Sequence, residues 1–154
     1  MAKKPLVSII MSTYNWEKYI SESIESVLKQ SYNNFEFIII NDSSNDNTEK
    51  IILKYKIKDS RIIYIKNKKN LKLTKSLNKW LNIAKWKYIA RIDDDDIWLK
   101  EKLLKQVIFM DNNPEYWICG TSTIIINSLG EERKKVLMRE TNHQIKNNIL
   151  KSNQ

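Results

Sequence analysis

The sequence has 154 residues, 42% of them hydrophobic and 29% charged, with a formal net charge of +9, two glycines and one cysteine. That is one globular domain's worth of chain. The lone Cys119 excludes an internal disulfide, and two glycines exclude a glycine-rich phosphate loop of the Rossmann or Walker kind.

The first apolar run, residues 6–12 (L-V-S-I-I-M-S), is too short for a signal peptide or a membrane span. It predicts a cytoplasmic protein and reads as a strand buried on both faces. Asn15 is placed to cap a helix whose stripe is Ile20, Ile24, Val27 and Leu28. Residues 35–40 (F-E-F-I-I-I) form a second strand, ending in the polar loop N-D-S-S-N-D-N-T. There Asp46 and Glu49 have capping-box spacing for a helix that turns Ile51, Ile52 and Tyr55 inward. A third strand is predicted over 61–65. Leu73, Leu77, Trp80, Leu81 and Ala84 mark the next helix, and 88–92 is a fourth strand. Trp80 and Trp86 read as core or interface residues. A further helix is expected from Trp98, with Leu99, Leu103, Val107 and Met110 on one face.

Strand and helix thus alternate, which predicts an α/β domain of three layers, α/β/α, with a mainly parallel sheet. The polar strand ends at 12–15, 41–46 and 93–96 then share one edge, where open sheets of this kind bind ligands. After Pro114, residues 116–127 read as a long or bent strand, 128–130 as a turn and 135–138 as a returning strand. The tail from 141 to 154 is polar and weakly helical, and His143 within it reads as a surface residue. The reading is one domain over 1–154, with βα units over 1–112 and a further stretch over 113–154. The apolar residues between 116 and 126 would favour a homodimer.

Net positive charge points to nucleic acid or an anionic membrane surface. The lysines, however, are spread through a chain rich in asparagine and isoleucine, and the clusters at 66–69 and 133–135 do not alternate with aromatics as a single-strand groove would. Nucleic acid is not expected, and peripheral contact with the inner face of a membrane stays open.

The sharpest feature is Asp93, Asp94, Asp95 and Asp96, four adjacent carboxylates at the end of the fourth strand. A solvated acidic turn favouring the next helix's N-terminus is one reading. The other is a divalent cation, since Mg²⁺ takes one or two carboxylates together with substrate phosphates. The strand-end position favours the cation. Asp42 reads either as a loop aspartate or as a binding residue. A calcium loop over Asp42, Ser44 and Asp46 is rejected, because Asn47 and Leu53 stand where glycine and glutamate are needed. Tyr14, at the end of the first strand, suits a core position or stacking on a flat ring.

Taken together, V-S-I-I-M-S-T-Y-N, F-E-F-I-I-I-N-D-S-S-N-D-N-T and Y-I-A-R-I-D-D-D-D-I-W-L resemble, in order and spacing, the family 2 glycosyltransferases of the GT-A fold, over residues 5–111. The resemblance implies an inverting transferase that uses a nucleoside-diphosphate sugar, with UDP the expected nucleotide, and Mn²⁺ or Mg²⁺. It implies a glycan or lipid-linked acceptor. It places Ser12, Thr13 and Tyr14 at the donor's base and ribose, Asp42 as an acceptor for the nucleobase, and Asp94 beside the ribose or sugar. Asp93 and Asp95 match the D-x-D metal motif, Asp95 as the direct ligand. Arg91, Lys72 and Lys75 are candidates for charge stabilisation. Two departures stand out. Lys72 and Trp86 occupy places where the family has glycine, and no catalytic base can be assigned, since Glu131, Glu132 and Glu140 sit in no matching motif. The competing readings are a nucleotide-sugar-binding module without turnover and a basic protein that binds anionic lipid or nucleic acid.

Overall fold

Seven residues in β1 (Val7–Thr13) are all buried in the computed structural model, which describes residues 7–81, 83–84 and 87–138. An apolar run with no alternation can only be a strand covered on both faces. The chain continues through α1 (Ile20–Leu28), β2 (Phe35–Asn41), α2 (Thr48–Lys58), β3 (Ile62–Lys66), α3 (Leu73–Leu81), β4 (Tyr88–Arg91) and α4 (Lys102–Asn112), then β5 (Thr123–Ile126) and β6 (Glu132–Val136). It divides into two compact units, Met1–Val107 and Ile108–Gln154.

In the first unit four parallel strands pair in the order β3-β2-β1-β4. The strand period of two sorts their side chains. Val7, Ile9 and Met11 of β1 with Phe35, Phe37 and Ile39 of β2 pack against Ile20, Ile24 and Val27 of α1, Ile52 of α2, and Leu103 and Val107 of α4. Ile10, Ile38 and Ile40 point the other way, to Leu77, Trp80 and Leu81 around α3. The result is the three-layer α/β/α arrangement with a parallel sheet. From β1 and β2 the chain turns to one face, and from β3 it turns to the other. The polar loops that follow lie at the carboxyl ends of these strands, where open sheets of this kind bind ligands.

In the second unit β5 and β6 form an antiparallel hairpin. Its turn is built on Asn127, whose side-chain oxygen accepts the N–H groups of Leu129 and Glu131, and on Gly130 at φ 79. Only glycine takes that conformation without strain. Trp117 and Ile118 are almost fully exposed. Among the described residues no helix is long and apolar enough to cross a membrane.

Several local expectations are corrected. Asn15 does not cap α1, which begins after Tyr19 without a side-chain cap. Asn15 sits instead at φ 58 and accepts the Asn45 N–H. Asp46 and Glu49 form no capping box. Asp46 accepts the N–H groups of Thr48 and Glu17, while Glu49 turns to Tyr64 and Lys66 of β3. α4 begins four residues after Trp98, because the buried side chains of Ser26 in α1 and Gln30 just beyond it occupy backbone groups of Trp98, Leu99 and Leu103. Leu99 is therefore exposed. Of 116–127 only Thr123–Ile126 is a strand, since the earlier residues meet no partner strand among the described residues and a ladder needs one. The returning strand lies at Glu132–Val136, ahead of the expected 135–138. Trp86, Glu140, His143 and the tail lie outside the described residues.

Candidate functional site

Strand ends gather the polar residues. Thr13 closes β1, and its carbonyl accepts the Asp42 N–H at 2.8 Å, so the ends of β1 and β2 are stitched side by side. Ser12 Oγ donates to Ser76 Oγ of α3 at 3.0 Å. Asp42 is only 2% exposed. Its carboxylate accepts the Leu71 N–H through both oxygens at 3.0 Å and the Asn67 amide at 2.7 Å. A buried carboxylate persists only with such donors. Asn67, just past β3, is tied back by its own N–H to the Asn41 carbonyl. Tyr14 stands beside this group, 43% exposed.

The loops after β1 and β2 are clasped by side chains. The N–H groups of Asn15, Trp16 and Glu17 donate to Ser44, Thr48 and Asp46, and Glu17 accepts the Asn47 N–H in return. Burial pushes the Asp46 carboxyl up. Its bonds from Thr48 and Glu17 outweigh that and hold it below the ordinary carboxylate value.

The acidic loop after β4 is held from α1. Ser23 Oγ donates to the Asp94 carbonyl at 2.9 Å, and Ser26 Oγ accepts the Trp98 N–H. Gln30 donates to the Leu99 carbonyl and accepts the Leu103 N–H. Within the loop the four carboxylates fare differently. Asp94 is buried, and that burial pushes its carboxyl up to about 6. Asp95 and Asp93 add repulsion. The Thr13 hydroxyl opposes the rise. It faces the Asp94 carboxyl but meets no partner in good hydrogen-bond geometry. Asp93 accepts two bonds from Arg91, at 3.0 and 2.6 Å, both on Oδ1. This Arg91–Asp93 pair is half-exposed, and such pairs hold weakly. Asp95 is exposed, and none of the described residues bonds its carboxylate.

Of the expected site residues, the structure brings Ser12, Thr13, Asp42 and Asp94 into one connected region, with Thr13 as the shared point. Asp93 and Asp95 flank Asp94 on the solvent side. Lys72 is exposed on the turn into α3, and Lys75 is exposed in that helix's first turn. Sequence reasoning missed Asn67, which holds Asp42, Ser76, which accepts from Asn67 and Ser12, and Ser23, Ser26 and Gln30, which hold the acidic loop. The last three were discoverable: they fall on the same helical stripe as Ile20, Ile24 and Val27, where a polar residue has to be bonded.

Comparison with known proteins gives the following. The profile of Glycosyl transferase family 2 matches residues 8–153. An uncharacterised glycosyltransferase of Methanocaldococcus jannaschii, MJ1057, is 53% identical over 112 residues, 71% of this chain and 39% of that protein. The Escherichia coli UDP-Glc:alpha-D-GlcNAc-diphosphoundecaprenol beta-1,3-glucosyltransferase WfaP is 46% identical over 73% of this chain and 44% of its own. The crystal structure of S. aureus TarS 1-349 in complex with UDP-GlcNAc superposes with a TM-score of 0.67 at 32% identity, covering 71% of this chain and 32% of that one. The chain thus spans less than half the length of each of these proteins.

Proposed function

The chain belongs to glycosyl transferase family 2, and on that premise we propose that it binds a nucleoside-diphosphate sugar, with UDP the nucleotide, for inverting transfer to a glycan or lipid-linked acceptor. One observation carries the donor site: the sheet edge that joins Ser12, Thr13, Asp42 and Asp94 continues into the unbonded carboxylate of Asp95. Two similar proteins support the choice of UDP, since TarS is described with UDP-GlcNAc and WfaP by name uses UDP-Glc. The acceptor is an analogy to WfaP, whose name specifies a diphosphoundecaprenol-linked sugar. A cytoplasmic site of action, at or near the inner membrane face, goes with such an acceptor.

In this reading Asp42 accepts the ring N–H of the base. Ser12, Thr13 and Tyr14 line the base and ribose, with the Tyr14 ring free to stack. Asp94, beside Thr13, faces the ribose or sugar.

The acidic loop fits Mn²⁺ or Mg²⁺. Among the described residues no three carboxylates, imidazoles or thiols converge as a protein-only cage would require, so the diphosphate has to complete the coordination. None of the described residues bonds the Asp95 carboxylate, and Asp93 keeps Oδ2 outside its pairing with Arg91. A bound cation supplies Lewis-acid stabilisation of the departing diphosphate. The chain's own part is to hold the base and ribose so that the sugar is presented in a fixed pose, an entropic contribution.

The test is calorimetry of UDP binding. UDP binds with Mn²⁺ and more weakly, by at least about tenfold, with EDTA. Asp95→Ala removes the difference. Equal affinity with and without the cation would overturn the assignment of Asp93 and Asp95.

A further inference from the structure

Behind the Asp42 carboxylate stands a side chain that is itself held in one orientation. Asn67, 1% exposed, donates through its amide nitrogen to Asp42 Oδ1 at 2.7 Å and to Ser76 Oγ at 3.0 Å. Its amide oxygen accepts from Trp80 Nε1 at 2.9 Å and from Lys79 Nζ at 3.3 Å. An indole N–H and an ammonium can only donate, so the amide oxygen has to face them and the amide nitrogen has to face Asp42. Reversed, the amide would set its oxygen against a buried carboxylate and leave the indole N–H facing another donor, at the full penalty of unmade buried bonds. Of the two donors Trp80 is the closer, and its ring is packed against the Ile10, Ile38 and Ile40 cluster, so its N–H is fixed in place.

We propose that Trp80 is a positioning residue for nucleobase recognition: its indole N–H sets the Asn67 amide, and the amide aims the Asp42 carboxylate at the base. The proposal rests on the reading of Asp42 as the base acceptor. It specifies the ligand chemistry. A carboxylate held as an acceptor takes a base whose ring nitrogen carries hydrogen, as uracil's does between its two carbonyls. Cytosine presents a lone pair at the same ring position and is repelled.

Preference for UDP over CDP is therefore a readout that a purely structural Trp80 would not move. The full 154-residue chain and its Trp80→Phe, Asn67→Ala, Trp80→Phe/Asn67→Ala and Asp42→Asn variants are titrated with UDP and with CDP, with melting temperatures measured alongside. Trp80→Phe keeps an aromatic ring in the layer, weakens UDP binding about tenfold and leaves CDP binding nearly unchanged. In the Asn67→Ala background it adds nothing, because the relay it acts through is already gone. Equal weakening of UDP and CDP, or additive effects of the two substitutions, overturns the proposal. If Asp42→Asn abolishes the preference while Trp80→Phe does not, base recognition by Asp42 survives and the positioning role alone falls. If Asp42→Asn leaves the preference intact, both fall.

Discussion

Lys72 adopts φ 67, in the left-handed region where a side chain is strained and glycine is not. The resemblance had marked this position as one where relatives carry glycine. The structure supplies the reason: the preceding Leu71 turns its N–H onto Asp42, and the following residues enter α3. A lysine therefore stands in a glycine conformation, with its side chain in solvent and nothing to offset the strain. Lys72→Gly relieves roughly 1–2 kcal/mol of backbone strain and loses roughly 0.5–1 kcal/mol to the freer unfolded chain. A net gain of about 0.5–1 kcal/mol is expected in thermal or urea unfolding; a loss would show that the lysine side chain contributes something the geometry does not reveal. Asp42 teaches the opposite lesson. Read from sequence it is a loop residue that the fold can spare, yet it is buried and satisfies the Leu71 N–H and the Asn67 amide. Its replacement with alanine therefore weakens folding as well as binding, and Asp42→Asn is the cleaner probe. The sequence marked Asp42 because it follows a strand directly. It could not mark Asn67 and Ser76, whose role arises only when β3 and α3 fold back beside β2.

At the scale of elements, α1 is more than a core helix. Its apolar stripe follows from the 3.6-residue period and was legible. Its polar members Ser23 and Ser26, with Gln30 just beyond its end, do a second job by fixing residues 94–101, which have little regular structure of their own, and the start of α4. This is why α4 starts at Lys102 and not at Trp98: the Leu99 carbonyl and the Leu103 N–H are already bonded to Gln30. Gln30→Ala leaves the buried Leu103 N–H without its partner, while the Leu99 carbonyl keeps the Lys102 N–H; the cost is about 1–3 kcal/mol, or roughly a 2–12 °C fall in melting temperature for a chain of this size. The acidic loop should lose its fixed shape as well. In Mn²⁺-dependent UDP binding, Gln30→Ala is expected to weaken affinity more than Ile52→Ala does. That control removes a buried side chain of α2 at a comparable ~2–4 kcal/mol and makes no hydrogen bond to the loop. Equal affinities in the two variants would mean that the loop holds its shape without α1.

For the whole molecule, alternation of strands and helices was enough to anticipate the three-layer arrangement, because each element's periodicity is a local property. The strand order β3-β2-β1-β4 was not legible, since it depends on which faces the crossovers cover. The hairpin of the second unit was legible in its turn and returning strand but not in its extent, because exposed apolar residues such as Trp117 and Ile118 mimic a longer strand. Catalysis is where this scale matters most. Transfer needs a base within hydrogen-bond reach of the acceptor's hydroxyl. Two carboxylates considered for that role are engaged in the exposed β5–β6 hairpin: Glu131 accepts from Asn127 and lies 3.3 Å from Arg133, and Glu132 lies 3.9 Å from Lys135. Neither is buried or poised as a base. On the proposed reading, donor positioning with no base among the described residues still assists departure of the diphosphate, so slow hydrolysis by water is expected rather than none. General-base catalysis typically contributes about 10²–10⁴-fold, and sugar transfer by these residues should fall short of a family member that holds such a base by about that factor or more. The assay incubates the chain with Mn²⁺ and a panel of UDP-sugars and follows UDP release with and without glycan and lipid-linked acceptors. A slow rate that no acceptor accelerates is the expected result, and Asp95→Ala should abolish it. Robust acceptor-dependent turnover would place a base within these residues after all, and Glu131→Gln, Glu132→Gln and Glu140→Gln would then identify which carboxylate supplies it.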